Sequence, residues 1–289
     1  MRSTLAILAL FLAASWGLAQ SNTSKTPAPA QAAPAQGTQT AAAPAQHQPQ
    51  AKSKDEYDAY SLAAAKTDPA QLEAAADDFA QKFPNSDLKD LLYVRAMNLY
   101  QQQNNSSKVI VVGRKAIAIN PQDPVPLVAV AAALVMDTRQ NDLDRDARYL
   151  EAAKDAQTAL DNIDTGLQVP PNMPPAQVAA AKANLRSIAY DSLGVIAMSK
   201  QDYAGAEQNF QQAADLMKDQ PDAVVYLRLS VAQDNEKKYA AALDSANKAV
   251  QYAQAGTTEK NLAQQQQARL QKLISEQVAP STPPPTTPH

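Results

Sequence analysis

The chain has 289 residues, with 26 basic and 29 acidic side chains, a formal charge of -3, seven glycines, 45 % hydrophobic residues and no cysteine. Charges this balanced and interspersed exclude a nucleic-acid groove or a polybasic membrane patch, and the lack of cysteine excludes disulfides and thiolate metal ligands. With His47 and His289 the only histidines, both in tail-like segments, a buried Ser-His-Asp or Cys-His centre is excluded too, and seven scattered glycines build no phosphate-cradling loop.

The first element is "MRSTLAILALFLAASWGLAQ". Arg2, an apolar run from Leu5 to Ala14, and small residues at Gly17 and Ala19 have the layout of a secretory signal over residues 1–19. Its apolar run is too short for a comfortable membrane span. The expectation is an exported protein, periplasmic or extracellular, without stable membrane insertion after removal of the signal; an uncleaved anchor is the alternative. Residues 20–53 are rich in Pro, Ala, Gln and Thr with almost no large apolar side chain, and so cannot offset their ordering entropy. They read as a tether, and "PSTPPPTTPH" in residues 279–289 as a second tail.

Residues 54–278 read as one helical domain. Ser53 and Glu56 form a capping box that opens a first helix. Asp68 before Pro69 opens a second. A third is predicted over about 87–103, and a fourth over "SSKVIVVGRKAIAI", which stops at Asn120 and Pro121. Seven more follow at about 125–137, 143–161, 175–200, 203–217, 222–235, 239–254 and 258–277. Abundant Ala and Gln, few strand-forming runs and short connections make this an all-α fold of antiparallel neighbours.

Within it a pattern recurs. "KQDYAGAEQNF" begins at Lys200 and "EKKYAAALDSA" at Glu236. Tyr203, Ala206, Phe210 and Ala213 recur as Tyr239, Ala242, Ala246 and Ala249, and as Tyr149, Ala152, Ala156 and Ala159. Three- and four-residue spacings place each set on one helix face. Small residues there let a neighbour approach closely. The preceding helices carry Tyr190, Leu193 and Gly194, and Tyr93, Ala96, Met97 and Tyr100. This resembles the tetratricopeptide repeat, a helix-turn-helix unit of about 34 residues. In "YDSLGVIAMSKQDYAGAEQNFQQAADL", Leu193, Gly194, Ala206, Phe210 and Ala213 match, while Tyr190 and Ala197 replace aromatic positions. "YVRAMNLYQQQNNSSKVIVVGRKAIAINP" keeps Tyr93, Tyr100, Ala116 and Pro121 but has Gly113 where phenylalanine is expected. The resemblance implies a superhelical stack of helix pairs in which the first helix of each pair faces a concave groove.

Two departures stand out. Tyr149 and Tyr203 lie 54 residues apart, an excess placed around "DTGLQVPPNMPPAQVAAAKANL". It reads either as a partner-contacting arm or as a lengthened hairpin whose alanine face packs on the preceding helix. The last helix, with Leu262, Leu270, Leu273 and Ile274 on one side and "QQQQ" on the other, reads as a solvating cap.

Three weaker motifs carry bland readings. Asp142, Asp144 and Asp146 match the first ligands of a calcium loop, but Ala147 replaces its glycine and Ala153 its bidentate glutamate. Ser245 and Lys248 satisfy S-x-x-K without companion motifs. Adjacent Asp77 and Asp78 point apart on a helix and read as a solvated face. No catalytic residue, metal site or cofactor is expected.

With units beginning near Asp90, Pro124, Ser187 and Ala223, the resemblance puts Val94, Asn98, Gln101, Val128, Ala132, Asp191, Val195, Met198, Leu227, Val231 and Asn235 in the groove, with Arg95 and Arg228 at its margin. Some members of the family clamp a partner's terminal carboxylate with Lys and Asn. Here Asn98 fits, but Val94 and Ala129 occupy positions that need polar groups. The implied function is a non-enzymatic scaffold that binds a peptide or partner helix mainly through apolar contacts; the alternative is a structural or assembly subunit of a cell-envelope complex.

Overall fold

The computed structural model describes residues 49–278 apart from residue 171. The expected signal, the tether up to residue 48, the last tail and both histidines lie outside the described residues. Eleven helices and no strand are present among the described residues: α1 Lys54–Ala64, α2 Pro69–Lys82, α3 Leu88–Gln102, α4 Ser106–Ile119, α5 Pro124–Asp137, α6 Arg145–Gly166, α7 Pro175–Ser199, α8 Tyr203–Leu216, α9 Ala223–Asn235, α10 Tyr239–Tyr252 and α11 Thr258–Val278. Most boundaries fall within two residues of expectation. The exception is α6, which runs on to Gly166 and forms with α7 the lengthened hairpin; Lys182 and Arg186 of α7 hold Asp164 at 3.1 and 2.6 Å. The alanines of its first turns, Ala176, Ala179 and Ala180, stay exposed.

Local chemistry accounts for the helix starts. Asp68, Asn105, Asp123, Asp202 and Asp222 each accept a backbone N–H of the helix they cap, which satisfies donors left over at the first turn. The Ser53 hydroxyl accepts from Glu56 N at 3.1 Å, while the Glu56 carboxylate accepts from Lys52 N at 2.6 Å, one residue earlier than the expected box. Three hairpins share one turn. Asn104, Gln201 and Lys237 adopt φ of 55, 61 and 62°, and the next amide reaches back to Tyr100 O, Ala197 O and Gln233 O at 3.0, 3.0 and 2.9 Å. A residue in the left-handed region is thus required just before α4, α8 and α10.

Helices pair as α3–α4, α5–α6, α7–α8 and α9–α10, and each second helix also packs on the first helix of the following pair. Successive first helices touch from α1 through α11, whereas no two successive second helices pack closely among the described residues. The stack therefore bends toward its first helices, which form the inner face. Its apolar interior among the described residues is two large cores that meet on α7, where Val195 packs against both, and a small third one of Ala242, Ala246 and Leu270 between α10 and α11.

The repeated small residues make the pairs. Ala206, Phe210, Ala213, Ala242, Ala246, Ala249, Ala152, Ala156 and Ala159 are all fully buried. A Cβ on Gly194 would stand 2.5 Å from Phe210 Cε1, so the α7–α8 approach excludes even a methyl group. Gly113 replaces an expected phenylalanine because its neighbours fill that space: a Cβ there would overlap Val130 of α5 and come within 3.1 Å of Met97 Sδ.

Second helices are linked by long polar side chains instead. Glu73 and Asp77 of α2 accept the hydroxyls of Tyr100 and Tyr93 of α3, each at 2.8 Å, and ion-pair with Lys108 and Lys115 of α4. Burial works against ionisation of Glu73, but its bonds from Lys108 and Tyr100 outweigh it and hold the carboxyl below its usual range. Burial and the bond to Glu73 push Tyr100 up to about 12. Asp77 is thus a network member rather than part of a solvated face; its partners lie 16 and 38 residues away. Arg114 of α4 grips Glu151 of α6 with two nitrogens, at 2.7 and 2.6 Å.

Two stability measurements check this picture. Gly194→Ala lowers unfolding free energy in urea by about 1–3 kcal/mol through overpacking, while Ala204→Leu on the exposed side of α8 stays within about 0.5 kcal/mol of the parent. Lys237→Gly raises it by about 0.5–1 kcal/mol, because glycine adopts the left-handed turn without the strain of a side chain.

Candidate partner-binding face

The residues expected in the groove fall into three groups along the inner face. On α3, Val94, Arg95, Asn98 and Gln101 are half-buried, on the side away from Tyr93, Ala96, Met97 and Tyr100, which form the core. In the middle, α5 is packed by α3, α4, α6 and α7. Val128 and Ala132 are consequently 1 % and 6 % exposed. They are core residues, and the expectation that they line an open groove is corrected: the closely packed α5 and α7 leave no room above them. On α7 and α9, Asp191, Val195, Met198, Leu227, Arg228 and Val231 are half-buried and Asn235 is exposed.

Polar groups separate the two ends. Arg228 of α9 ion-pairs with Asp191 of α7. Burial opposes the charge of Arg228, but Asp191 outweighs it and raises the guanidinium's pKa. Asn235 Nδ2 donates to Val231 O at 2.8 Å. From α11, Gln266 donates to Asp234 at 3.1 Å and Arg269 ion-pairs with the same carboxylate; Gln267 donates to Asn247 at 2.8 Å. Part of the glutamine run therefore faces the stack rather than solvent, with Ala263 and Leu270 providing the buried contacts and Leu262 left exposed. This end is already held by the chain's own polar groups.

At the α3 end fewer polar groups are paired among the described residues. Arg95 Nε is buried without a hydrogen-bond partner. Its guanidinium bears on Tyr60 of α1, whose phenol pKa burial raises and Arg95 opposes. Tyr60 itself packs edge-on against Phe79 of α2, with centroids 6.3 Å apart. The expected groove positions are counted from units beginning near Asp90, so none of them lies on α1, although a helix is expected there.

The weaker motifs have structural contacts. Ser245 Oγ donates to Gln233 Oε1 at 2.8 Å inside the α9–α10 interface, and Lys248 lies 5.3 Å over the Tyr226 ring. Asp142 accepts from Arg139 N at 2.7 Å in its own loop, and Asp146 from Arg145 Nε at 2.9 Å.

No family model and no curated protein matches this chain. Among solved structures it is similar to a MamA RS-1 ArsTM double mutant, at 12 % identity and a TM-score of 0.44 over 79 % of this chain and 99 % of that one. It is also similar to PilW, a type IV pilus biogenesis factor, at 16 % identity and 0.37 over 72 % and 98 %, and to a tetratricopeptide repeat protein from Parabacteroides merdae, at 13 % and 0.34 over 78 % and 95 %. The buried Ala-Phe/Ala-Ala registers and the stacked antiparallel pairs give this chain a tetratricopeptide-like helical-repeat architecture.

Proposed function

We propose that the protein is a non-enzymatic protein-interaction scaffold of the exported or periplasmic space, which holds a peptide or a partner helix against its inner face. The observation that carries this reading is the α3 stretch from Val94 to Gln101: half-buried, inward-facing, and bearing a guanidinium and two side-chain amides with no hydrogen bond inside the described chain. Polar groups in such a place gain by pairing with a ligand's backbone or side chains. Apolar contact supplies the remainder, so a single guanidinium leaves binding with little salt dependence. Export is supported by the charged, apolar and small-residue order of residues 1–19.

Asn98→Lys is expected to abolish recovery of the partner from the exported fraction while moving the melting temperature by no more than about 2 °C. Val195→Asp is expected to lower the melting temperature instead, since Val195 packs against both cores. Retained partner binding in Asn98→Lys would move the site off α3. The second reading, an assembly subunit of an envelope complex, is favoured by Met136, Leu143 and Leu150, exposed on α5, the α5–α6 loop and α6. A stoichiometric membrane-assembly partner in the same pull-down supports it, whereas varied peptide-bearing clients support the adaptor.

A further inference from the structure

Two carboxylates are buried together where α3 and α5 begin. Asp90, in the first turn of α3, is 2 % exposed, and Asp123, the N-cap of α5, is 4 % exposed. Asp123 accepts from Val125 N at 2.9 Å. Asp90 makes no hydrogen bond through either oxygen, although the Asn120 side chain approaches it. The turn that carries Asp123 is closed from the other side by the end of α6: a Cβ on Gly166 would overlap Gln122 O and lie 3.4 Å from Pro124 Cδ.

Among the described residues, no cation of the surrounding elements is ion-paired with either acid. On α4, Lys108 and Lys115 are engaged by Glu73 and Asp77, and Arg114 by Glu151. On α6, Arg148 holds Asp137, Arg145 holds Asp146, and Lys154 acts on the adjacent Asp155. On α7, Lys182 and Arg186 hold Asp164. Arg95 of α3 lies beside Tyr60, and Lys89 Nζ donates to Pro84 O. Among the acids of these elements, Glu56 of α1 accepts Lys52 N, and Asp155 of α6 is pushed up to about 6 by burial and by Glu151, so the Asp90→Asn/Asp123→Asn variant is what separates the α3–α5 pair from it. A second acid pair differs in having a cation. Burial also raises Asp222, the N-cap of α9, and nearby Asp191 adds to this, but there Arg228 ion-pairs with Asp191 and opposes the rise. Six residues after its N-cap acid, α9 has Arg228; six residues after its own, α5 has Ala129.

We infer that Asp90 and Asp123 form a proton-operated joint between α3 and α5, closed while the pair is protonated and loosened when both carboxyls ionise. Two like charges excluded from water and lacking a cation repel, and each is disfavoured by burial. Burial, with the charge of Asp123 added, pushes Asp90 up to about 7, and burial pushes Asp123 up to about 6. Because both values lie above the unfolded range near 4, the contribution to stability is complete below that range and is lost as pH rises through about 6–7. Loosening the start of α3 displaces the Val94–Gln101 face relative to α5, so protons tune the inner face whatever it binds.

Hydrogen exchange of the full chain at about pH 5.5 and pH 8, corrected for intrinsic rates, tests the joint. Protection at the start of α3 and in residues 120–127 is expected to fall by about tenfold or more at the higher pH, with the middle of α10 unchanged. In the Asp90→Asn/Asp123→Asn variant, which keeps a competent N-cap, that fall disappears. Infrared spectra at about pH 6 provide a check on the parent chain's chemistry: a protonated carboxyl C=O band is expected, reduced in Asp90→Asn. Equal protection at both pH values, persistence of the fall in the double variant, or absence of the carboxyl band overturns the inference. So does restoration of protection at pH 8 by calcium or magnesium ions alone, which would make the pair a cation site.

Discussion

The fold depends on how closely two helices can approach. Where Ala206, Ala213 and Gly194 face the partner helix, backbones come near enough that a single added methyl group collides with Phe210. Phe210 then fills the gap that small residues leave between α7 and α8, and dispersion across this tightly packed surface adds to that of the buried aliphatic side chains. Every other feature follows from keeping that spacing over successive pairs. A register slip by one residue would rotate the alanine stripe by about 100° and present charged positions to the neighbour.

Curvature arises from the same constraint applied unevenly. First helices touch along the whole stack, whereas second helices are spanned by side chains such as Arg114 to Glu151 and Lys115 to Asp77. Short apolar contacts inside and long ion pairs outside bend the array. Partly exposed pairs of this kind add only modestly to stability, so they orient the pairs rather than hold them together. The same bend brings α5 and α7 together so closely that the middle of the inner face becomes core. What remains accessible is divided: at the α9–α11 end Arg228 pairs with Asp191 and Gln266 with Asp234, and at the α3 end Arg95 Nε has no hydrogen-bond partner among the described residues.

Much of this was legible in the chain itself. Helix number, most boundaries, the N-caps at Ser53 and Asp68, the alanine stripes and the pairing order follow from interactions among residues within about four positions, where spacing determines geometry. The solvated reading of Asp77, the open-groove reading of Val128 and Ala132, and the outward reading of Gln266 and Gln267 were wrong for a shared reason. Each depends on a group more than twelve residues away in sequence: Tyr93 and Lys115 for Asp77, α7 for α5, and Asp234 and Asn247 for the glutamines. Gly113 is instructive because its departure from the repeat pattern is local, yet the residues that compensate, Met97 and Val130, sit on two other helices.

By itself the amino-acid sequence determined that this protein is a stack of antiparallel helix pairs, because a helix face is set by three- and four-residue spacing and a hairpin by its short turn. Only the tertiary structure decided which part of the inner face is free, where acids such as Asp90 and Asp123 meet without a cation, and which charges are already paired. Those outcomes depend on the distance between elements that are remote in the chain, and that distance is set by the accumulated bend of all the pairs rather than by any one of them.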